Sequence, residues 1–139
     1  MGHIEMSNTF MAALNAQQWD TVASYLTDDF TYSGGTAGIL DKQGYLAVQK
    51  AFFAAAPDYH GTLADVRDDG DTGYGTVTAS GTQTQPLALP GLPPIPATGK
   101  PFSTTFETTV TWRGDQISTM SLQQIGPSLL DQLGIQLPG

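Results

Sequence analysis

The sequence contains no cysteine and only two histidines, and these absences exclude several kinds of site. Without thiols the chain cannot form disulfides, bind a metal through thiolates or use a cysteine as a nucleophile. Of the two histidines, we expect His3 in a mobile terminus and His60 on the outer side of a strand. Two imidazoles so placed do not make a His-based metal site, so we predict neither a metal nor a cofactor.

Positive charge is scarce as well. Five Lys and Arg residues stand against thirteen Asp and Glu residues, which gives a net charge of -8. Because this balance repels a phosphate backbone, we expect no nucleic acid partner. No apolar run approaches the roughly 20 residues of a membrane helix, so we expect no membrane partner. The stretch Met1 to Met6 lacks the basic region and the apolar core of a secretory signal, and we therefore expect a cytoplasmic protein.

The first part of the chain has the apolar spacing of helices. With 40% hydrophobic residues, no linker and no repeat, residues 1–139 are predicted to form a single folded domain. Two short stripes recur at helical spacing, namely Phe10, Met11, Leu14 and Trp19, Val22, Leu26. Asp41 is the predicted N-cap of a third helix, which carries Tyr45, Val48 and Phe52 on one face. Pro57 ends this helix.

The later part of the chain alternates with a period of two, which indicates strands. The predicted strands are 30–33, 59–67, 73–84, 102–113 and 116–125. Within 102–113 the even-numbered residues form the predicted buried face, so Glu107 belongs to the opposite face. A last helix is predicted from Pro127 to Leu133, with Gly134 at its end. Helices followed by long antiparallel strands indicate an α+β domain, with helices packed on one face of a curved antiparallel sheet.

A proline-rich segment from Pro86 to Pro101 interrupts the strands. Its prolines cannot donate to a strand ladder, so the segment is predicted to be a long loop. The prolines are interleaved with large aliphatic residues, Leu87, Leu89, Leu92 and Ile95. Because these side chains would otherwise expose a large apolar patch, we expect the loop to fold over a pocket or onto a partner subunit.

Several phrases spread along the chain resemble a known family. They are "PDYHGTLADVRDDGD" at 57–71, "SGTQTQ" at 80–85, "PATGKPF" at 96–102, "RGDQIS" at 113–118 and "LLDQLG" at 129–134. Together with the order of predicted elements, they resemble the SnoaL-like polyketide cyclase branch of the NTF2-like superfamily. The resemblance implies a cone-shaped α+β barrel that encloses a pocket and commonly dimerises through the outer face of its sheet. It therefore implies a homodimer and a small apolar molecule as partners.

The resemblance also indicates where catalytic groups would stand. Cyclases of this type carry a His at the end of a "GTH" phrase, an Asp in the following strand and often an Arg in the preceding strand. The matching positions here are Gln83, a residue at or beside Thr108, and about Thr76. None of the three side chains can exchange a proton near neutral pH as His or Asp does, which weakens the cyclase assignment.

The remaining polar and aromatic residues supply the candidates for a site. Glu107 is a carboxylate inside the predicted strand 102–113, so it is the candidate displaced base, although a solvated or dimer-interface glutamate is the more ordinary interpretation. Asp58, at the helix-to-strand transition, is interpreted as a cap for backbone groups. The predicted ligand-binding residues are Trp19, Tyr32, Gln83, Thr108 and Gln123.

Three functional hypotheses follow from these residues. The first is a binding protein with an apolar pocket for a polyketide-like or other carbonyl compound. The second is an active cyclase or isomerase in which Glu107 or Tyr32 replaces the missing groups. The third is a structural dimerisation module. The absence of the family's His and Asp favours binding over catalysis, and a collapsed cavity would favour the structural role.

Overall fold

The computed structural model describes residues 2–35, 38–88, 94–125, 132 and 134. Three helices and six strands follow one another along the chain. In order they are α1 His3–Asn15, α2 Trp19–Ser24, β1 Leu26–Gly35, β2 Gly38–Asp41, α3 Lys42–Ala55, β3 His60–Asp69, β4 Thr72–Thr82, β5 Pro101–Arg113 and β6 Gln116–Ile125. The predicted α+β class, with helices first and long strands afterwards, is confirmed.

The six strands form one curved sheet in the order β2-β1-β6-β5-β4-β3. Strands β3 to β6 pair antiparallel with their chain neighbours, as predicted. The sheet differs from the prediction at β1, which pairs parallel with β6. It is also unclosed, because β2 and β3 stand at its two edges. The helices pack against it, and α1 contacts the edge strand β3.

The first strand begins earlier than the sequence pattern suggested. Trp19, Val22 and Leu26 have helical spacing, yet α2 ends at Ser24 and Leu26 is the first residue of β1. Val22 and Leu26 are both 0% exposed, so both belong to the same core although they belong to different elements. Periodicity reports burial, and burial alone does not separate a short helix from the strand that follows it.

A bulge in β3 helps to shape the concave side of the sheet. The register between β3 and β4 shifts between Ala64 and Arg67, and Asp65 has a φ of 54°. Because of this shift, Leu63 and Val66 both line the same cavity, whereas regular alternation would place them on opposite faces. The bulge therefore adds a wall residue that a straight strand would not supply.

Two carboxylates perform the capping roles predicted for them. Asp41 Oδ1 accepts a hydrogen bond from the Gly44 N–H at 2.8 Å and so caps α3. Asp58 Oδ1 accepts one from the Thr82 N–H at 2.7 Å. Each of these bonds satisfies a backbone donor at the end of an element.

The prediction is confirmed for one of the two histidines and wrong for the other. His60 is exposed at the start of β3, as predicted. The expectation that His3 lies in a mobile terminus is wrong, because His3 is the first residue of α1. Its ring stacks on Trp112 with centroids 4.6 Å apart, and its Nε2 lies 3.1 Å from the Gly114 carbonyl oxygen. This contact fixes the start of the helix against the end of β5.

The proline-rich segment packs onto the chain itself, as far as it is described. Leu87 and Ile95 exchange two backbone hydrogen bonds of 2.8 Å and are 1% and 5% exposed. They pack in a cluster with Val48, Ala55, Ala56 and Phe102. Leu87 and Ile95 are thus covered by the chain itself, whereas Leu89 and Leu92 lie outside the described residues. That the loop folds over a pocket or onto a partner subunit stays a prediction.

The last predicted helix falls on a segment that is only partly described. Most of the helix predicted from Pro127 to Leu133 lies outside the described residues. Gly134, its predicted terminating glycine, has a φ of 74°, the left-handed conformation that glycine adopts readily. Within the described ranges, no helix has the length and apolar character needed to cross a membrane.

Candidate functional site

A cavity of about 130 Å³ lies between the helices and the concave side of the sheet. It exists because the inward-facing residues of β4 are small. Gly73, Gly75, Val77 and Ala79 line this wall, while β5 contributes larger side chains such as Phe106. The alternation of β4 therefore leaves space where another strand would fill it. Most of the remaining lining is aliphatic or aromatic.

Four tyrosines line the cavity, and three of them have pKa values raised by burial. These three are Tyr32 of β1, Tyr45 of α3 and Tyr59, which immediately precedes β3. The rings of Tyr32 and Tyr45 have centroids 4.9 Å apart. Tyr59 stacks on Phe52 at 5.5 Å. Aromatic packing thus positions the rings, and none of the three hydroxyls makes a hydrogen bond with the part of the chain that is described.

Burial keeps these three hydroxyls protonated. It raises the pKa of Tyr32 and of Tyr59 well above the ordinary value, and it raises the pKa of Tyr45 in the same way. The neighbouring Tyr32 and Tyr59 hydroxyls raise the pKa of Tyr45 further, because negative charges close together disfavour ionisation. The tyrosines therefore remain neutral hydrogen-bond donors at physiological pH.

Gln49 adds an amide to the same cavity. It lies on α3, four residues after Tyr45 and three before Phe52, and it is 7% exposed. This spacing places its side chain on the buried stripe of the helix. Its amide has no hydrogen-bond partner among the described residues. A ligand or a water in the cavity would supply the partner that these residues do not.

Thr108 supplies a polar atom from the sheet side. It lies in β5 between Gly75 of β4 and Leu122 of β6, and all three residues line the cavity. The Thr108 Oγ1 atom is buried and has no partner in the described part of the chain. The cavity thus has unsatisfied polar groups on its helix side and on its sheet side.

The lining carries no formal charge within the described residues. It includes no Asp, Glu, His, Lys or Arg, and its titratable groups are the tyrosines. The same residues contain no group of three or more His, Asp or Glu side chains that could hold a metal ion. The cavity can therefore donate and accept hydrogen bonds, but these residues offer no base that titrates near neutral pH.

Among the predicted ligand-binding residues, the structure brings Tyr32 and Thr108 together in the cavity. Trp19 does not line it. Its ring packs edge-on against Phe53, with centroids 5.7 Å apart, and Lys50 Nζ lies 5.8 Å from the ring centroid. Trp19 thus holds α2 against α3.

Gln83, to which the resemblance assigns the place of the family histidine, does not line the cavity. It is 1% exposed, and its amide is fully used within the chain. Its Nε2 donates to the carbonyl oxygens of Ile95 and Pro96 at 3.4 and 3.1 Å. Its Oε1 accepts from the N–H and the hydroxyl of Thr98 at 3.2 and 2.7 Å. Gln83 therefore anchors the second half of the proline-rich segment.

Glu107 and Gln123 face away from the cavity. They are exposed cross-strand partners on the outer side of the sheet. Turning Glu107 inward would require a bulge at this point of β5. The pairing of β5 with β4 has no register shift, and its pairing with β6 shifts only between Thr111 and Trp112. The geometry therefore does not bring Glu107 to the tyrosines.

The sequence analysis missed Gln49 and treated Tyr45 as a core residue. The signal was present, because positions 45, 48, 49 and 52 complete one helical stripe and an amide on a buried stripe needs a partner. Tyr59 is the first residue of the predicted strand 59–67, and the sequence patterns give it no role in a site. Its position depends on the turn between α3 and β3, which helical and strand periodicity do not describe.

Comparison with known proteins identifies the family. A profile described as the SnoaL-like domain matches residues 8–120. The chain therefore belongs to the SnoaL-like domain family, and the resemblance inferred from the sequence is confirmed. A search of curated proteins finds no significant match.

Solved structures share the fold over nearly the whole chain. TsrD from Streptomyces laurentii has 21% identity and a TM-score of 0.76, over 95% of this chain and 94% of its own. IdmH from Streptomyces antibioticus, a proposed polyketide cyclase, has 25% identity and a TM-score of 0.74, over 94% and 97%. A protein with a ketosteroid isomerase-like fold from Catenulispora acidiphila, in complex with trimethylamine, has 19% identity and a TM-score of 0.70, over 95% and 94%. The predicted NTF2-like fold is thus confirmed.

Proposed function

We propose that this protein binds a small, largely apolar molecule carrying a carbonyl or hydroxyl group in the cavity between its helices and sheet. The observation that carries the proposal is an apolar cavity with uncharged polar groups that lack partners in the described residues, namely Tyr32, Tyr45, Gln49 and Thr108. Ligand pockets have this composition, because apolar contacts supply affinity and a few polar groups fix orientation.

Binding without turnover is the form of the proposal that the site supports best. Proton abstraction next to a carbonyl needs a base near the substrate, and the described lining has no carboxylate or imidazole. The relationship to IdmH supports a carbonyl compound as the ligand. The active-cyclase alternative would require Glu107 to reach the cavity, and the purely structural alternative is disfavoured by the open cavity.

A cavity-filling variant tests binding directly. Val77 lies on the small wall of β4, so Val77→Phe is expected to occupy the cavity with its ring and to abolish ligand binding. Ligand-observed NMR with a panel of ketones and phenols that have one or several rings measures this loss. Tyr25→Phe is the control, because the Tyr25 ring packs on Phe10 but does not itself line the cavity.

The result separates the hypotheses. The proposal requires that at least one compound binds the wild type, that Val77→Phe loses it and that Tyr25→Phe retains it. If Val77→Phe binds as the wild type does, the ligand is elsewhere and the proposal is wrong. A turnover assay on the bound compound, with Glu107→Gln beside the wild type, tests the cyclase alternative, since activity lost in that variant would support a displaced base.

A further inference from the structure

The cavity restricts the chemical class of the ligand more narrowly than family membership does. The restriction comes from the size of the cavity, from its lack of charge and from the position of Gln49. A cavity of comparable volume, about 150 Å³, holds a single benzene ring in an engineered protein. The cavity here is about 130 Å³. A single ring therefore fits without moving the wall, and we expect fused rings to bind less tightly.

We propose that the ligand is a neutral one-ring compound with a hydroxyl or carbonyl group at one edge, and that Gln49 determines specificity for that group. This inference rests on the proposed function, since it concerns the same cavity. The carboxamide of Gln49 can accept a hydrogen bond from a ligand hydroxyl and donate one to a ligand oxygen. The neighbouring tyrosine hydroxyls add further donors.

We infer a neutral ligand because the described lining has no charged side chain that could pair with a charged ligand. Among the described residues, no titratable group of the lining comes from α1, β3, β5 or β6. The titratable groups of the remaining walls are Tyr32, Tyr45, Tyr59 and Tyr74. No ammonium or guanidinium is present in this lining to pair with an anion. The raised pKa values of Tyr32, Tyr45 and Tyr59 show that a negative oxygen is disfavoured at this place.

Gln49 is distinguished from the other polar groups by its chemistry. A tyrosine hydroxyl can rotate its hydrogen, whereas the amide presents a fixed acceptor oxygen and a fixed donor nitrogen. Gln49 is 7% exposed and makes no hydrogen bond with the described part of the chain, so replacing it by leucine breaks no bond within those residues. We therefore expect Gln49→Leu to be at least as stable as the wild type.

The experiment uses two fluorinated probes and ¹⁹F NMR titration. One probe is a difluorophenol whose hydroxyl ionises near neutral pH, and the other is its O-methyl ether, which cannot ionise. The phenol is expected to lose at least tenfold in affinity as the pH rises through its own ionisation, while the affinity of the ether stays constant. A fluorinated naphthol, with two fused rings, is expected to bind less tightly than the phenol.

The Gln49→Leu variant tests the specificity residue. We expect it to weaken phenol binding by about tenfold more than ether binding, because the ether has no hydroxyl to donate to the amide. Gln43→Leu is the control, since Gln43 is an exposed amide on the same helix. A merely structural role for Gln49 would lower the affinities for both probes equally, together with thermal stability.

Several outcomes would overturn the inference. Equal affinity for the phenol and its anion would show a site that accepts negative charge. A pH-dependent loss shared by the ether would place the titrating group on the protein. Naphthol binding as tight as phenol binding would contradict the size limit, and equal phenol affinity in Gln49→Leu would remove the role of Gln49. If neither one-ring probe binds the wild type while a larger compound displaced by Val77→Phe does, the inference fails and the proposed function stands.

Discussion

At the scale of single residues, amide side chains take the place of backbone partners at the ends of strands. Asn15 bonds both the N–H and the carbonyl oxygen of Gly61 at 2.8 Å, and so joins α1 to the edge strand β3. Gln132 does the same with Ser103 at 2.8 and 2.9 Å. Gln83 extends this pattern to the proline-rich segment, whose prolines have no N–H to offer.

The role of Gln83 leads to a prediction about stability. Gln83→Met keeps the volume of the side chain but leaves two carbonyl oxygens and the Thr98 donors without their partner. We expect the free energy of unfolding to fall by about 2 to 4 kcal/mol, measured by urea denaturation, and protease cleavage near residues 94–98 to become faster. Gln85→Met is the control, because Gln85 is exposed. Unchanged stability in Gln83→Met would contradict the anchoring role.

Residue patterns predicted the site only in part. Tyr32 and Thr108 were found because strand alternation assigns them to the inner face. Gln83 and Gln123 were misplaced for different reasons: the amide of Gln83 is consumed by a loop whose path has no periodic signal, and Gln123 occupies the outer parity of β6. The role of Gln49 could have been predicted from the helical stripe, because Gln49 is an amide among the apolar and aromatic residues of that stripe.

At the scale of elements, the end of α1 combines a standard motif with an unusual residue. The Gln18 N–H bonds the Ala13 carbonyl and the Gln17 N–H bonds the Leu14 carbonyl, both at 3.0 Å, which is the Schellman pattern. Gln17 sits at the left-handed position with a φ of 57°. Glycine adopts this conformation readily, whereas a side chain there costs roughly 1 to 2 kcal/mol.

We therefore expect Gln17→Gly to stabilise the protein. The net gain is about 0.5 to 1 kcal/mol, since the greater freedom of glycine in the unfolded chain offsets part of the relieved strain. Chemical denaturation measures it. Gln18→Gly is the matched control, because the φ of Gln18 is -85° and glycine there only adds unfolded-state freedom. A loss of stability in Gln17→Gly equal to that in Gln18→Gly would show that the left-handed position is not strained.

Element types and order were predictable, whereas the partners of the strands were less so. The β3 to β6 meander follows from alternation and from short turns such as Gly70 and Gly114, both with positive φ. The parallel pairing of β1 with β6 joins segments about ninety residues apart, a distance at which no local signal acts. β2 is four residues long and was not predicted, because so short a run shows no clear alternation.

At the scale of the whole molecule, the helices cover one face of the sheet and leave the other face to its own polar side chains. Thr72, Thr111, Thr119 and Thr31 form one row across four strands on that outer face. Such a face can pair with a second copy through a two-fold contact. The homodimer expected from the sequence stays a prediction, and so does the cytoplasmic location.

The buried tyrosines make global stability depend on alkaline pH. Tyr32 and Tyr45 are 7% and 2% exposed, and burial holds the pKa of Tyr32, Tyr45 and Tyr59 above the ordinary value of about 10. Above pH 10 the unfolded chain therefore releases protons from these hydroxyls while the folded chain retains them. The unfolded state then binds fewer protons, so the free energy of unfolding decreases as the pH rises.

We expect this decrease to approach about 4 kcal/mol per pH unit above pH 10, since each of the three retained protons contributes about 1.4 kcal/mol per unit. Below pH 10 the three tyrosines contribute no slope. Urea denaturation between pH 8 and pH 11 measures the dependence, and absorbance at the tyrosinate band shows whether ionisation coincides with unfolding. Tyr32→Phe should remove about a third of the slope. Ionisation of all five tyrosines while the chain stays folded would contradict the buried cluster from which the neutral cavity was inferred.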